Sequence, residues 1–138
     1  MKSINTLVDI LFISLLSSPS WSAALGDLVK REGLYYEKFT DVPFSGEVTG
    51  SEQGSFKNGK LDGVWVIYRK NGQLAMKGNY ENGKLEGAFV GYWDNGQLRS
   101  KGNYKDGKKE GVWVGYDEDG TVIKNLTGTY KNGKRISD

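Results

Sequence analysis

Apolar and polar residues alternate along most of the chain, in runs of five to eight residues separated by Asn-Gly or Asp-Gly pairs. The segments 64–69 and 73–80 show the pattern, with the pair Asn71-Gly72 between them. Period-two alternation is typical of half-buried strands. An Asn-Gly pair between two such runs predicts a type I′ hairpin, which needs positive φ at both central residues. No segment shows a helical period, so we predict an all-β fold of antiparallel hairpins.

The alternating pattern itself repeats, at intervals of 24, 24 and 26 residues. The units are 56–79, 80–103 and 104–129, followed by the partial unit 130–138. The third unit gains its two extra residues around Asn125-Leu126. Each such unit buries its apolar residues only against its neighbours, so the units stack in one direction. The repeats predict an elongated, single-layer antiparallel meander of β-hairpins over 54–138.

Alternation places the side chains of each unit's first strand on two faces of the sheet. One face receives Val64, Val66, Tyr68, Ala88, Val90, Tyr92, Val112, Val114 and Tyr116. The other face receives Trp65, Phe89 and Trp113. Glycine within a strand is costly unless a neighbouring ring covers it. We therefore expect the three rings to stack as a column over the strand glycines, which are Gly78, Gly91, Gly102 and Gly115.

Residues 25–53 fit the repeat poorly but keep its alternation. They predict a strand over 34–39, a turn at 41–43 and a second strand over 44–48, with a short helix over 25–30 as an alternative for the beginning. Terminal units of a repeat array are atypical because one edge of the sheet must face water. We interpret this segment as a degenerate first unit that caps the sheet.

The beginning of the chain has a different character. Lys2 precedes the apolar run 10–16, and small residues follow. A basic start, a short apolar core and small residues at alternate positions indicate a secretory signal peptide, cleaved after Ser22 or Ala24. An uncleaved membrane span would need about 20 apolar residues. We therefore predict that 1–24 is a signal peptide and that the protein is exported, either to the periplasm or as a secreted protein.

Composition narrows the chemistry. The chain has no His and no Cys, which removes thiol chemistry, disulfides, His-based acid–base catalysis and nearly every zinc site. Its 19 Lys and Arg are too closely balanced by 17 Asp and Glu for a nucleic-acid binder. The acidic turn 117–120 lacks the ligand spacing of a calcium loop. We predict a non-enzymatic protein with no catalytic residue, cofactor, metal or small-molecule substrate.

One motif imitates a phosphate-binding loop. The spacing G-x-x-x-x-G-K occurs four times, first as Gly54…Gly59-Lys60. The residue that follows is Leu61, Leu85, Lys109 or Arg135. A nucleotide loop needs Ser or Thr at this place and a helix whose N-terminus faces the phosphates. The motif is better explained as the connection between one repeat unit and the next.

A longer motif recurs in every unit. It reads Gly78-Asn79-Tyr80, Asn82-Gly83-Lys84 and Gly87 in the second unit, with counterparts at 54–63, 102–111 and 128–134. This pattern resembles the MORN repeat over about residues 54–134. Where the common repeat has a second Gly, this chain has Trp65, Phe89 and Trp113, which is similar to the variant repeat of bacterial proteins that include the YwqK-type antitoxins. The resemblance implies a curved, single-layer sheet and a non-enzymatic interaction role.

Aromatic side chains are the main candidates for partner binding. A single-layer sheet leaves at least one face in water, and both faces carry rings of the kind that dominates interface energetics. The candidate residues are Trp65, Tyr68, Phe89, Tyr92, Trp93, Trp113 and Tyr116. Trp93 occurs in one unit only and is our first choice for a contact residue. The alternative is that the rings only pack against one another and the sheet.

A second candidate surface is the turn edge, where one lysine recurs in each unit. These lysines are Lys60, Lys84, Lys108 and Lys134. Such a row contributes about 1 kcal/mol per basic residue at an anionic lipid surface. Asp62, Glu86 and Glu110 lie two residues away and offset the charge, which favours a solvated, edge-protecting role. The leading hypothesis is a module that binds a protein partner, as an antitoxin or immunity protein does. Docking at an anionic membrane surface is the alternative.

Overall fold

The computed structural model describes residues 22–138, most of which lie in strands. The strands are β1 (Ser22–Ala24), β2 (Leu28–Arg31), β3 (Leu34–Glu37), β4 (Gly46–Thr49), β5 (Glu52–Lys57), β6 (Lys60–Leu61), β7 (Gly63–Tyr68), β8 (Leu74–Glu81), β9 (Lys84–Tyr92), β10 (Leu98–Lys105), β11 (Lys108–Gly115), β12 (Gly128–Lys131) and β13 (Lys134–Ser137). The predicted all-β fold is confirmed. Most of the predicted signal peptide, up to residue 21, lies outside the described residues.

From β4 onwards the strands form one antiparallel meander in chain order, and the short β6 pairs back onto β5. Successive hairpins therefore extend the sheet in one direction, as the repeats predicted. β1 joins the opposite end by parallel pairing with β4, with Ser22 opposite Glu47. β1 contains both predicted cleavage positions, Ser22 and Ala24, so the last residues of the predicted signal peptide are paired in the sheet.

Two kinds of turn alternate along the meander. The turns at one edge are Asn58-Gly59, Asn82-Gly83, Asp106-Gly107 and Asn132-Gly133. Both residues of each pair have positive φ, 49–50° and 77–80°, as type I′ requires. At the other edge only the glycine has positive φ, and Arg69 N donates to Gln73 O at 2.8 Å around Gly72. The type I′ prediction at Asn71-Gly72 is therefore wrong: this is a three-residue turn with glycine in the left-handed position.

A small hairpin covers the beginning of the meander. β2 and β3 form a separate two-stranded sheet whose turn, Glu32-Gly33, repeats the type I′ geometry with φ of 49° and 83°. Tyr35 N donates to Gly59 O at 2.8 Å, which ties this hairpin to the turn of the first full unit. The hairpin comes from the first part of the segment 25–53, whose later part forms β4 and the start of β5 in the main sheet.

Boundaries within this hairpin differ from the prediction. The alternative of a helix over 25–30 is wrong, because a 3₁₀ turn at Leu25–Asp27 leads directly into β2. The strand predicted over 34–39 ends at Glu37, since Phe39 has a φ of 67° that no strand accommodates. No helix within residues 22–138 is long and apolar enough to cross a membrane.

The largest cluster of buried side chains lies at the capped end of the sheet. It consists of Leu28, Phe44, Val48, Phe56 and Trp65. Ile67 and Met76 pack against it. The ring of Phe56 meets that of Trp65 edge to face, with 5.5 Å between centroids. The cap therefore supplies the second layer that buries this part of the sheet.

The predicted relation between rings and glycines is partly right. Trp65 lies over Gly54 and Trp113 over Gly102, so closely that a Cβ at either glycine would overlap the ring. Each ring covers the glycine eleven residues before it in the chain. Trp65 was expected over one of the glycines that follow it, and that expectation is wrong.

The rings form two clusters rather than a continuous column. Phe89, Tyr104 and Trp113 contact one another with centroid distances of 4.9–5.9 Å. No ring contact within residues 22–138 joins Trp65 to this cluster. Gly115, expected beneath a ring, is covered by an aliphatic side chain instead. The column is interrupted between the first and second units.

Candidate functional site

A groove of about 630 Å³ opens over the second and third units. It lies on the face that carries Phe89 and Trp113, which we call the aromatic face. Its lining residues are Ile67, Arg69, Ala75, Met76, Phe89, Gly91, Tyr92, Trp93, Arg99, Ser100, Tyr104, Lys109, Trp113, Gly115, Tyr116, Ile123 and Leu126. Six of them are aromatic and three are basic, and none is acidic. The groove therefore combines apolar walls with positive charge.

The groove exists because a large side chain is missing from two units. In the first unit Ile67 occupies the position and packs against the core cluster. Gly91 and Gly115 occupy the same position in the next two units. Gly91 pairs in register with Met76 on one side and Ser100 on the other, at the floor of the groove. The second unit therefore has no side chain at the position that Ile67 occupies in the first, and Gly91 itself is buried beside the Phe89 ring.

Trp93 forms one wall and also joins two units. Its indole Nε1 donates a hydrogen bond to Tyr116 O at 2.9 Å. The guanidinium carbon of Arg99 lies 4.7 Å from the centroid of the Trp93 ring. A cation over an aromatic face gains about 0.5–1 kcal/mol at an exposed site. Trp93 is half-buried, and the ring holds Arg99 beside the groove.

Arg69 makes a similar joint one unit earlier. Its Nη2 donates to Tyr92 O at 2.7 Å, and its Nη1 pairs with Asp94 at 2.7 Å. The charge of Arg69 is therefore compensated. Arg99, by contrast, forms no ion pair with any residue of 22–138.

Lys109 is the second uncompensated cation of the groove. Its Nζ lies 4.4 Å from the centroid of the Trp113 ring and 4.9 Å from that of Tyr130. Within the described residues it has no carboxylate partner. Burial lowers the pKa of Lys109 and raises that of Tyr104, which also lines the groove. Desolvation thus already disfavours the Lys109 charge, and a bound anion would relieve that penalty.

The two extra residues of the third unit close one end of the groove. Ile123 N donates to Gly115 O at 2.8 Å, and Gly115 N donates to Thr127 Oγ1 at 3.0 Å. Leu126 lies over Gly115, where an added Cβ would be 2.9 Å from the Leu126 Cβ. The loop therefore needs glycine at position 115 and sets an apolar wall there.

A family model describes this part of the sheet. The model of the MORN repeat variant matches residues 61–82 and 85–106. Residues 61–82 and 85–106 are variant MORN repeats. The second match includes the groove floor at Gly91 and the wall at Trp93. No curated protein and no solved structure matches the chain.

The MORN units place the predicted aromatic residues in different surroundings. Phe89, Tyr92, Trp93, Trp113 and Tyr116 all line the groove, so members of both predicted rows reach it. Trp113 contributes little accessible surface, because only 1% of it is exposed. The two aromatic candidates of the first unit lie apart: Trp65 is buried in the core cluster, and Tyr68 is half-buried outside the lining.

The four predicted edge lysines are all exposed along the turns of the repeat units. Lys84 Nζ pairs with Asp106 at 2.8 Å. The hydrogen bond and charge of Lys84 hold the pKa of Asp106 below its ordinary value. This edge therefore presents mixed charge rather than a purely basic row.

Acidic residues at the same edge connect successive turns. Glu86 Oε2 accepts a hydrogen bond from Asp106 N at 2.6 Å, and Glu110 Oε2 accepts one from Asn132 N at 2.9 Å. The sequence analysis interpreted these carboxylates as solvated edge residues and missed the connection. Their recurrence at the spacing of one unit, next to a turn with free backbone N–H groups, was the available signal.

Sequence reasoning also missed the groove residues Gly91, Arg99, Ser100 and Lys109. All four are positions where a MORN unit departs from the unit before it. The departures were visible in the aligned repeats, but only the structure shows that they share one surface.

Proposed function

We propose that this chain is an exported, non-catalytic module that binds a protein partner in the groove over its second and third units. The observation that carries the proposal is the groove of about 630 Å³, with half-buried rings and two cations that no described carboxylate neutralises. Aromatic and Arg side chains are the residues most enriched among the energetic centres of protein interfaces.

The state of these rings supports binding. Phe89, Tyr92 and Trp93 are only partly covered in the free protein. A partner would therefore remove further apolar surface from water, at about 25 cal/mol per Å². The sheet holds the wall in place through hydrogen bonds such as that from Trp93 to Tyr116, so little side-chain freedom is lost on binding.

The finer form of the proposal is neutralisation, in which the bound module covers a functional surface of its partner, as an antitoxin or immunity protein would. The resemblance of the repeats to antitoxin-type repeats supports this form, and the predicted signal peptide locates the encounter in the periplasm or outside the cell.

The lysine edge supports a second candidate, docking at an anionic membrane. All four lysines of this edge are exposed and recur once per unit. Lys84 is paired with Asp106, however, and two glutamates lie in the same turns. The mixed charge makes this the second candidate, and the same experiment tests it.

Capture with three forms of the protein separates these candidates. The wild type, Gly91→Ile, and a variant with all four edge lysines replaced by Gln are each incubated with envelope and culture-fluid fractions. We expect a partner that binds the wild type and the lysine variant, and that Gly91→Ile retains at least about tenfold less well, a difference of about 1.4 kcal/mol. Equal thermal unfolding of the three forms is the control for folding.

Capture that Gly91→Ile leaves unchanged would contradict binding in the groove. Flotation with anionic vesicles that is lost in the lysine variant and in high salt would favour the membrane candidate. N-terminal sequencing of protein from the periplasm and the medium tests export, and an intact Met1 on cytoplasmic protein would contradict it.

A further inference from the structure

The repeats provide an internal reference for the groove, because each position can be compared with its equivalent one unit earlier. At the floor, Ile67 of the first unit is replaced by Gly91 and Met76 by Ser100. Both replacements remove apolar volume, and both lie at the same place. The second unit has therefore lost the side chains that fill this site in the first.

Local packing does not require glycine at position 91. Its φ is outside the positive range, and an added Cβ would be 3.5 Å from the nearest atom of the Phe89 ring, an ordinary contact. Gly102 differs, because a Cβ there would overlap the Trp113 ring. Glycine at position 102 is needed for packing, whereas position 91 would accept a Cβ at ordinary contact distances.

Charge changes at the same surface. Arg99 stands where the first unit has Ala75, and Lys109 stands where the second unit has Leu85. Both cations line the groove and stack on its aromatic rings at 4.4–4.7 Å. Neither forms an ion pair within residues 22–138, and the lining contains no Asp or Glu. The described residues therefore supply no counter-anion for the two cations of the groove.

We propose that the groove recognises a peptide segment in which an acidic residue lies next to a large apolar or aromatic residue. The carboxylate binds one of the two uncompensated cations, Arg99 or Lys109, and the neighbouring side chain packs on the Phe89 ring beside Gly91. This inference rests on the proposed function and names the chemistry of the partner segment.

The shape of the groove favours a peptide over a membrane. It is concave, and Leu126 and Ile67 line it from the third and first units. A flat lipid surface would meet the exposed lysine edge rather than this floor. A free inorganic anion would use the two cations but not the open apolar space. Adjacent acidic and apolar side chains use both.

Selection from a random peptide library tests the proposal. A phage-displayed library of 12-residue peptides is selected on the wild-type protein after depletion on Gly91→Ile. We expect enriched sequences in which Asp or Glu lies within two residues of Trp, Phe or Leu. Fluorescence titration of the best synthetic peptide then gives its affinity for the variants, with the Asn or Gln analogue of the peptide as a matched ligand.

Three variants replace a groove residue with the residue at the equivalent position one unit earlier: Gly91→Ile, Arg99→Ala and Lys109→Leu. We expect Gly91→Ile, which occupies the apolar site, and the double variant Arg99→Ala/Lys109→Leu, which removes both cations, each to weaken the acidic peptide at least about tenfold. The double variant should no longer distinguish the acidic peptide from its amide analogue. Lys101→Ala is the control, because Lys101 is in the same strand as Arg99 and outside the lining.

The proposal is overturned if no sequence is enriched, if the enriched sequences lack acidic residues, or if the double variant binds as well as the wild type. Binding of anionic vesicles that depends on Arg99 and Lys109 would also overturn it. A captured protein partner that needs the open floor at Gly91 but no acidic segment would leave the proposed function standing and refute only this inference.

Discussion

The first MORN unit and the second are copies of one pattern, but their aromatic faces are covered to different extents. In the first, Ile67 and Met76 complete a core that the N-terminal hairpin covers. In the second, Gly91 and Ser100 leave a groove beside Phe89. The backbone pairing is the same in both, because Ile67 lies opposite Met76 in the first unit and Gly91 lies opposite Ser100 in the second.

The comparison shows that strand pairing and surface chemistry are separable in this sheet. Turns and covered glycines recur in every unit and hold the meander together. Side chains at the floor positions decide whether a unit packs into the core or borders the groove. A few substitutions at fixed register thus convert a packing surface into a candidate binding surface.

The largest expected effect tests what the two regions share. Trp65→Ala and Trp113→Ala should each destabilise the protein by about 3–5 kcal/mol, because each removes a buried ring and uncovers a glycine. Urea unfolding measures the loss. Val112→Ala, next to Trp113 and 66% exposed, is the control and should stay within about 0.5 kcal/mol. A loss below about 1 kcal/mol for either tryptophan would contradict the shared role.

Exchanging the floor residues tests the difference directly. Ile67→Gly should cost about 2–4 kcal/mol, since it removes packing from the capped core and adds glycine to a strand. Gly91→Ile should lie within about 1.5 kcal/mol of the wild type, because the added Cβ meets only ordinary contacts. Denaturant midpoints of the two variants measure the asymmetry. Equal losses would show that the second unit is packed as tightly as the first.

Most of the meander was predictable because its signals are local. Alternation and the Asn58-Gly59 type of pair determine strand direction and turn geometry within a few residues. The turn at Asn71-Gly72 was placed correctly and typed wrongly, because the same dipeptide also fits a longer turn in which only Gly72 takes positive φ. The end of β3 at Glu37 was missed because the positive φ of Phe39 has no sequence signal.

The groove was less predictable because it depends on contacts between units. Which glycine a ring covers depends on side-chain direction, so Trp65 covers Gly54, which was not among the glycines expected beneath the rings. Trp93 was chosen because it is unique to one unit, and its bond to Tyr116 could not be seen in the sequence. Arg99 and Lys109 line the groove from different strands, β10 and β11, at positions that no local pattern connects.

A smaller effect concerns the connections between turns. Glu86 and Glu110 each bind a backbone N–H of the next turn, whereas Asp62 of the first unit is one methylene shorter and makes no such bond among the described residues. Glu110→Asp should therefore cost about 1 kcal/mol, the net value of a typical hydrogen bond. Hydrogen exchange at Asn132 N–H measures it. Asp62→Glu is the reverse control and should slow hydrogen exchange at Asn82 N–H, the equivalent position of the preceding turn. Unchanged exchange in both variants would refute the connection.

The smallest expected effect is electrostatic and concerns the ion pair between Lys84 and Asp106, which lie in successive turns. Lys84 faces Asp106, whereas the turns next to Lys60 and Lys108 carry Asn82 and Asn132. The Lys84 hydrogen bond and charge lower the pKa of Asp106 below its ordinary value of 3.8. A carboxyl group whose pKa is lower in the folded state stabilises the protein above its unfolded pKa, and that contribution is lost as the pH falls through the folded pKa. NMR titration of the Asp106 carboxyl carbon should show a pKa that rises in Lys84→Gln and is unchanged in Lys60→Gln. An identical Asp106 titration in the wild type and Lys84→Gln would mean that the ion pair contributes nothing here, and that the two turns are held by the hydrogen bonds from Asp106 N to Glu86 and from Gly107 N to Leu85 O.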